Sequence, residues 1–464
     1  MRLTQQRIKF AFLILIAIVI AAGITRLIPP VQSPDENVHL LRADMISHGQ
    51  LLLQPGASGK GREGGLADAN FIRFSEAMLW ISGKGANKDI ASELWDRAGD
   101  VKWAHKDSFY NAAGTGYYLP VIYIPHALGL FTSRKLDLSM EASYELTRTL
   151  VVATSLTLMV LALSMYTPNV LSLMLLATPM ALFQFSSPTI DGLCAAMAIL
   201  VIGLWFSVSA SERYLSGNGL AFKEVALYGL IIVLCTARTN LLPILLIPLV
   251  LAISRPSRPR IATVALVYMF TFAWIAFAVS TTHDSRVVRE HSTSSILISY
   301  LSSPLEFIDL LASTIGDNEI RRFYRDSYFG ILGWLDTPIP RHAVRILYAA
   351  AIVSAVVLVI VTPWRRAAPR RAMLLFMGLS STFLIFLALA ITWTNYPADR
   401  ISGIQGRYFL VPTLFIAAAL GKTEAGVRTL RPVEILAFCA FLGYSLYLLA
   451  TTLMAQYKLS SQYF

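Results

Sequence analysis

Long apolar runs recur from one end of the chain to the other, separated by short polar stretches and one long polar segment near the start. A helix needs ~20 apolar residues to cross a bilayer, and on that measure the runs read as about eleven spans. The first covers about Ile8 to Ile28. It is followed by Tyr144–Tyr166, Val170–Phe185, Ile190–Ser209, Val225–Ala237, Leu241–Ile253 and Ile261–Ser280. Val344–Pro363, Ala372–Trp393, Tyr408–Leu420 and Val433–Met454 complete the set. The two runs either side of Arg238 are short and predict a tight hairpin. The expected fold is all-α, a polytopic transmembrane helical bundle forming one membrane-embedded domain over residues 1–464. The first span is long enough to stay as an anchor, and no small-residue cleavage site follows it.

Tyr117–Phe131 is apolar but too short to cross, and Pro120 and Pro125 interrupt it. It reads as an interfacial or re-entrant helix inside a long polar loop, residues 30–143; the alternative, a full span, would reverse the orientation of everything after it and place the Trp364-Arg365-Arg366 cluster outside. The Gly- and Lys-rich parts of that loop, Gly56–Gly65 and Gly83–Lys88, read as exposed turns. Trp80, Trp95 and Trp103 suggest amphipathic pieces at the membrane interface. A second large loop covers residues 281–343, and smaller ones cover 394–407 and 186–192.

Charge placement orients the spans. Arg2, Arg7 and Lys9 precede the first, which puts the N-terminus in the cytoplasm. Arg213 and Lys223, then Arg255, Arg258 and Arg260, then Arg365, Arg366, Arg370 and Arg371, then Lys422, Arg428 and Arg431 fall on the same inner side. Asp35, Asp191, Asp336 and Arg407 are thereby gathered on the outer face. Composition agrees with a membrane protein: 55% of residues are hydrophobic and 14% charged, against roughly 25% charged in soluble domains. The net charge of +11 is broken up by the spans. That argues against nucleic acid and for topology, anionic lipid or a lipid-phosphate ligand. Cys194, Cys235 and Cys439 lie in apolar runs, so neither a disulfide nor a metal cluster is expected. No internal repeat is visible, which disfavours transporters built from inverted repeats.

The stretch Ser33-Pro34-Asp35-Glu36-Asn37-Val38-His39 follows the first span directly. Ser33 as N-cap, Pro34 at the first helical position and Glu36 at the third make a capping box, in which Gln would serve as well as Glu. Asp35, His39 and Arg42 then share one helix face. Acids in a first turn also simply complement the helix dipole, and the same explanation is open to Asp191. A divalent metal held by Asp35, Glu36 and His39 is a further reading of an unspecific spacing. Arg407 follows Gly403 and Gly406 and opens a span. It suits bidentate phosphate binding or a plain interfacial anchor, and Arg148 has the same two readings. Arg238, between apolar runs, is either functional or snorkelling. Gly333-Trp334-Leu335-Asp336 reads as a turn with an interfacial Trp or as part of a site.

Asp35-Glu36-x-x-His39, the glycine at Gly49, and Tyr117, Tyr118 and Pro120 followed by Arg148 resemble the GT-C superfamily of integral-membrane glycosyltransferases. More closely, three motifs are similar to the bacterial family named domain of unknown function 2142 (DUF2142), over roughly Pro34 to Pro412. They are Pro34-Asp35-Glu36-x-x-His39, Gly330-x-x-Gly333-Trp334-Leu335-Asp336 and Gly403-x-Gln405-Gly406-Arg407-Tyr408-Phe409. The resemblance implies a GT-C-like bundle with interfacial helices in the first outer loop and a catalytic carboxylate at Asp35, with Glu36 and His39 beside it. It implies sugar transfer from a polyprenyl-phosphate carrier to a glycan or lipid acceptor at the periplasmic face of the bacterial inner membrane. Arg407, with Arg148 or Arg400, is expected to stabilise the departing phosphate. Asp191, Asp336, Gln405 and Tyr117 complete the expected substrate-binding set. No cofactor is required on this reading, and a divalent metal is compatible with it. A transporter or flippase for a lipid-linked glycan is the rival of a different class, and a glycan polymerase or ligase is the nearer one.

Overall fold

The computed structural model describes residues 2–56, 59, 61–79, 97–211, 216, 220–284 and 290–457, with side chains from Ile14 onward. Trp80, Trp95, the Gly83–Lys88 stretch, Arg213, Arg286 and Arg289 lie outside the described residues. Backbone groups in a bilayer core find partners only within a helix or a closed barrel. The apolar runs are accordingly helical, and helix accounts for 72% of the structure.

In chain order, α1 is Arg2–Leu27 and α2 is Glu36–Ser47. The first loop holds β1 (Gln54–Pro55), β2 (Arg62–Asp68), α3 (Ala69–Leu79), β3 (Asp107–Asn111) and α4 (Ile124–Lys135). Then come α5 (Met140–Met165), α6 (Val170–Leu176), α7 (Pro179–Phe185), α8 (Ile190–Ser209), α9 (Phe222–Ala237), α10 (Leu246–Ser254) and α11 (Arg258–Thr281). The second loop holds α12 (Thr293–Ser302), α13 (Pro304–Gly316), α14 (Asn318–Phe329), β4 (Ile331–Leu332) and β5 (Thr337–Pro338). The chain closes with α15 (Arg341–Val361), α16 (Ala368–Thr392), α17 (Leu410–Ala419) and α18 (Pro432–Tyr457).

Among the described residues, six helices are long and apolar enough to cross a membrane: α5, α8, α11, α15, α16 and α18. The pair α12 and α13, bent by 102°, brings that count to as many as seven, and Ile14–Leu27, Thr239–Ser254 and Gly406–Ala419 are shorter apolar helical stretches among the described residues. Several of the shorter apolar runs are interrupted for local reasons. The Val170–Phe185 run breaks where Thr178 caps α7, its side chain accepting the Ala181 N–H, with Pro179 at the first position. After Arg238 the chain is 3₁₀-helical over Thr239–Leu245, where Pro243 removes a donor, before α10 resumes. The apolar run at Gly406–Ala419 likewise begins as 3₁₀ and is short.

Tyr117–Phe131 does not form a continuous helix of crossing length. It forms a 3₁₀ turn at Pro120–Tyr123 and runs into α4. Val121, Ile124, Leu128 and Phe131 face outward, while Ile122, Tyr123, His126 and Leu130 are buried against the bundle. That division suits a helix lying in an interface.

Two expectations for the first loop are corrected. Alongside its helices the first loop carries a small sheet, in which β1, β2 and β3 pair antiparallel with Gly64 opposite Asn111 and Asp68 opposite Asp107. Gly64 and Gly65 belong to β2 rather than to an exposed turn. A Cβ on Gly64 would sit 2.1 Å from the Tyr110 carbonyl oxygen, so only glycine admits this close pairing. Trp103 is buried and not an interfacial anchor; its Nε1–H donates to Ser143 Oγ at 3.1 Å, and the Arg134 guanidinium covers its ring. Asp68 then accepts the Ala104 and His105 N–H groups and pairs with Arg134 of α4, which fastens the sheet to the bundle.

The most enclosed of the long helices is α8, and its first turn carries Asp191. At that end of the bundle the Arg62–Thr282 bridge brings the first loop against the end of α11. The start of α11 lies ~36 Å away at the opposite end. There Glu224 and Arg260 form a buried pair at 2.6 Å, and Arg370 and Arg371 donate to carbonyls of Thr423 and Ala419.

Candidate functional site

Between α1 and α2 the chain turns tightly, and the turn is built around Glu36. Its carboxylate accepts the Val31 N–H at 3.0 Å, the Ser33 N–H at 2.9 Å and the Tyr144 hydroxyl at 2.7 Å. The capping-box bond from Glu36 back to Ser33 is therefore present. The cap itself is displaced, because α2 starts at Glu36 with Asp35 as its N-cap. Asp35 has φ 63°, in the left-handed region that Asp and Asn tolerate best among residues with a Cβ. Trp334, in the turn between β4 and β5, donates its indole N–H to the Val31 carbonyl at 3.0 Å. The same turn carries Gly333 and Leu335 at positive φ.

This strained turn presents the Asp35 carboxylate to the Arg407 guanidinium. Arg407 donates to Asp35 Oδ2 at 2.8 Å and to the Pro34 carbonyl at 3.2 Å, and lies 3.5 Å from Asp191. Arg238 pairs with the other oxygen of Asp191. Tyr408 lies under both guanidiniums, 5.3 Å from Arg407 and 5.9 Å from Arg238, and Tyr118 covers Arg238 at 5.9 Å. The four charges balance. They differ in access: the Asp35 side chain is 41% exposed, Arg238 22%, Asp191 16% and Arg407 4%. Asp35 is thus the open member, with Arg407 behind it.

Arg407 reaches this place because Gly406 lets the chain pass against α14. Its N–H donates to Ser327 Oγ at 2.8 Å, and a Cβ there would sit 2.1 Å from the Tyr328 nitrogen. The Arg407 Nε has no partner among the described residues, and neither does the buried Oε1 of Gln405. A cavity of 290 Å³ beside the Gly403–Ile404 segment is lined by Phe323, Tyr324 and Ile401 among others.

His39 lies behind Tyr118, the two rings stacked 5.9 Å apart, and its Nδ1 meets the Tyr123 hydroxyl at 2.7 Å. Burial outweighs the nearby Asp35 charge and pushes the imidazole down to about 4, so it is neutral at pH 7. Burial likewise pushes Glu36 up to about 7, against its three hydrogen bonds and the Arg148 charge. The side chains of Glu36 and His39 are hydrogen-bonded to the turn with Tyr144 and to Tyr123 respectively, with the Asp35 and Arg407 charges close enough to His39 to act on it. The spacing predicts one face shared by Asp35, His39 and Arg42, but Asp35 stands outside α2 as its left-handed cap. Arg42 instead donates to the Gln50 and Leu51 carbonyls. Among the described residues no group of three or more His, Cys, Asp or Glu could hold a metal ion. The divalent-metal reading of Asp35, Glu36 and His39 is therefore set aside: their side chains go to Arg407, to the turn and to Tyr123.

The other expected residues divide. Asp191 and Arg407 join Asp35. Asp336 stays in its own turn, accepting the Thr337 hydroxyl at 3.0 Å, while its neighbour Trp334 braces the Asp35 turn. Arg148 is spent on the Ile28 carbonyl at 2.7 Å and on Glu145, beside Glu36 rather than in the cluster. Arg400 pairs with Asp317 at 2.6 Å on the exposed second loop. The Tyr117 carbonyl accepts the Trp274 indole N–H at 3.2 Å, which anchors the segment carrying Tyr118. Arg238 was legible only as an isolated cation between apolar runs, and Tyr118 and Tyr408 only as parts of motifs. The structure adds all three to the cluster.

Several crossing-length helices with a balanced pair of carboxylates and guanidiniums at one end define a polytopic helical membrane protein. The chain belongs to the family described as predicted membrane protein, DUF2142, whose family model matches residues 15–416 and so includes every member of the cluster. No curated protein and no solved structure matches it.

Proposed function

We propose that this protein is an inverting glycosyltransferase of GT-C type that takes a sugar from a polyprenyl-phosphate carrier. It works at the periplasmic face of the bacterial inner membrane, with its N-terminus in the cytoplasm. The short apolar helices join the long ones in an eleven-span topology. The observation that carries the reading is the Asp35–Arg407–Asp191–Arg238 cluster, with an accessible carboxylate in front of two aromatic-backed guanidiniums.

Asp35 accepts the proton of an acceptor hydroxyl as its oxygen attacks the anomeric carbon. The bond from that carbon to the carrier's phosphate oxygen breaks, and the electron pair leaves with the polyprenyl phosphate. Arg407 and Arg238 stabilise the charge that develops there. Phosphate needs no proton to depart, so one carboxylate suffices where glycosidases need two. Asp191 holds the two guanidiniums in register until the phosphate enters. His39 and Glu36 act by positioning Tyr118 and the Asp35 turn. The gathering of basic residues at the far end of the bundle supports the orientation.

The test is incubation of the purified protein in detergent with a panel of polyprenyl-phosphate sugars and a mixed glycan acceptor. Turnover of one donor with release of polyprenyl phosphate is expected. Movement of labelled lipid-linked glycan across a proteoliposome membrane without any turnover would favour the flippase instead.

A further inference from the structure

At the end of the bundle opposite Asp35, a groove of 640 Å³ lies between α8, α10 and the start of α16. Trp205, Leu246, Val250 and Phe376 give it an apolar lining, and Arg255 and Arg370 supply two cations. Val250 and Phe376 are exposed on the flank of the bundle, so the groove opens sideways toward the hydrocarbon rather than only toward water. The Arg255 guanidinium has no ion-pair partner among the described residues. Arg370 donates to the Thr423 carbonyl at 3.1 Å and keeps its remaining donors. No carboxylate is among the described residues lining the groove. Two uncompensated guanidiniums over an apolar, laterally open groove match a phosphate carrying an acyl chain, whereas a free anion would leave the apolar lining unused. The volume falls within the ~300–1,000 Å³ usual for small-ligand sites.

We propose that this groove binds an anionic phospholipid, its phosphate between Arg255 and Arg370 and an acyl chain along Val250 and Phe376. The site is separate from the Asp35 cluster, and the inference is independent of sugar transfer.

The test uses the full-length protein, delipidated in detergent, with binding of phosphatidylglycerol followed by native mass spectrometry. Arg255→Gln with Arg370→Gln should weaken binding on the order of tenfold or more. Ala372→Trp, which fills the groove and keeps both arginines, should weaken it comparably. Phosphatidylcholine should bind far less, and inorganic phosphate should not displace the lipid at equal concentration. If the double variant loses its fold with the Thr423 bond, Arg255→Gln alone serves, because that guanidinium makes no ion pair. Affinity within about twofold of wild type in Arg255→Gln or in Ala372→Trp, equal binding of phosphatidylcholine, or displacement by inorganic phosphate would each overturn the proposal.

Discussion

At Glu36 one carboxylate satisfies three donors inside a buried turn, and this changes what a substitution there does. A capping box alone would accept Gln. Here an amide NH₂, which cannot accept, would face either the Ser33 N–H or the Val31 N–H, so one buried donor loses its acceptor, whereas a protonated carboxyl keeps a lone pair on each oxygen. Glu36→Gln should therefore destabilise the protein by about 1–3 kcal/mol, read as a lower melting temperature in detergent. The pH dependence has a definite sign. Burial raises the folded-state value of Glu36 from 4.5 to about 7, so its protonated form stabilises the fold. That contribution is complete below 4.5 and is lost as pH rises through about 7. The melting-temperature advantage of wild type over Glu36→Gln should narrow between pH 5 and 8; widening over that window would contradict the assignment. Arg407 carries a different expectation. Lys keeps the charge but cannot meet Asp35, the Pro34 carbonyl and Asp191 together. Arg407→Lys should weaken donor binding on the order of tenfold while the protein still inserts. Donor affinity unchanged in both Arg407→Lys and Arg407→Ala would reduce the residue to an anchor.

At the scale of elements, the site depends on how closely the Gln405–Phe409 turn approaches α14. A methyl on Gly406 has no room beside the Tyr328 nitrogen and the Tyr324 carbonyl. Gly406→Ala should push the turn off α14, lower the melting temperature and reduce transfer together, with Tyr328 hydroxyl contact to Thr413 strained as well. Normal stability and rate in that variant would mean the approach is not needed. Here the limits of reading a sequence are plain. The length of the apolar runs located the helices, since a continuous apolar stretch is what burial in lipid or core requires. It did not locate β2, whose Gly64 and Gly65 look like turn residues and whose partner β3 is distant in the chain. Residue preferences point to Ser33 as the cap of α2, because they say nothing of the left-handed backbone that makes Asp35 the cap.

For the whole molecule, counting charges between spans puts Asp35, Asp191, Asp336 and Arg407 on one face; Asp35, Asp191 and Arg407 meet, while Asp336 stays in its own turn. Arg238 could not be assigned that way. An arginine between apolar runs fits snorkelling and function equally, and only its contact with Asp191 decides. Arg148 and Arg400 illustrate the converse: both are cations near loops, yet their guanidiniums are used by Ile28 and Asp317. The orientation makes its own prediction. Single cysteines at Gly61 and Asn395 should react with an impermeant thiol reagent from the periplasm, and one at Ala367 should not. Labelling at Ala367 would invert the bundle and move the cluster to the cytoplasm.

The central claim is that the Asp35 carboxylate removes the acceptor's proton. Asn suits the left-handed backbone at position 35 and matches Asp in size, so Asp35→Asn isolates the chemistry. The decisive measurement is the rate of sugar transfer by purified Asp35→Asn in detergent, with melting temperature recorded alongside. A positioned general base contributes roughly 10²–10⁴-fold, so a loss of that size with near-normal stability is expected. A rate within a few-fold of wild type would show that Asp35 is not the base.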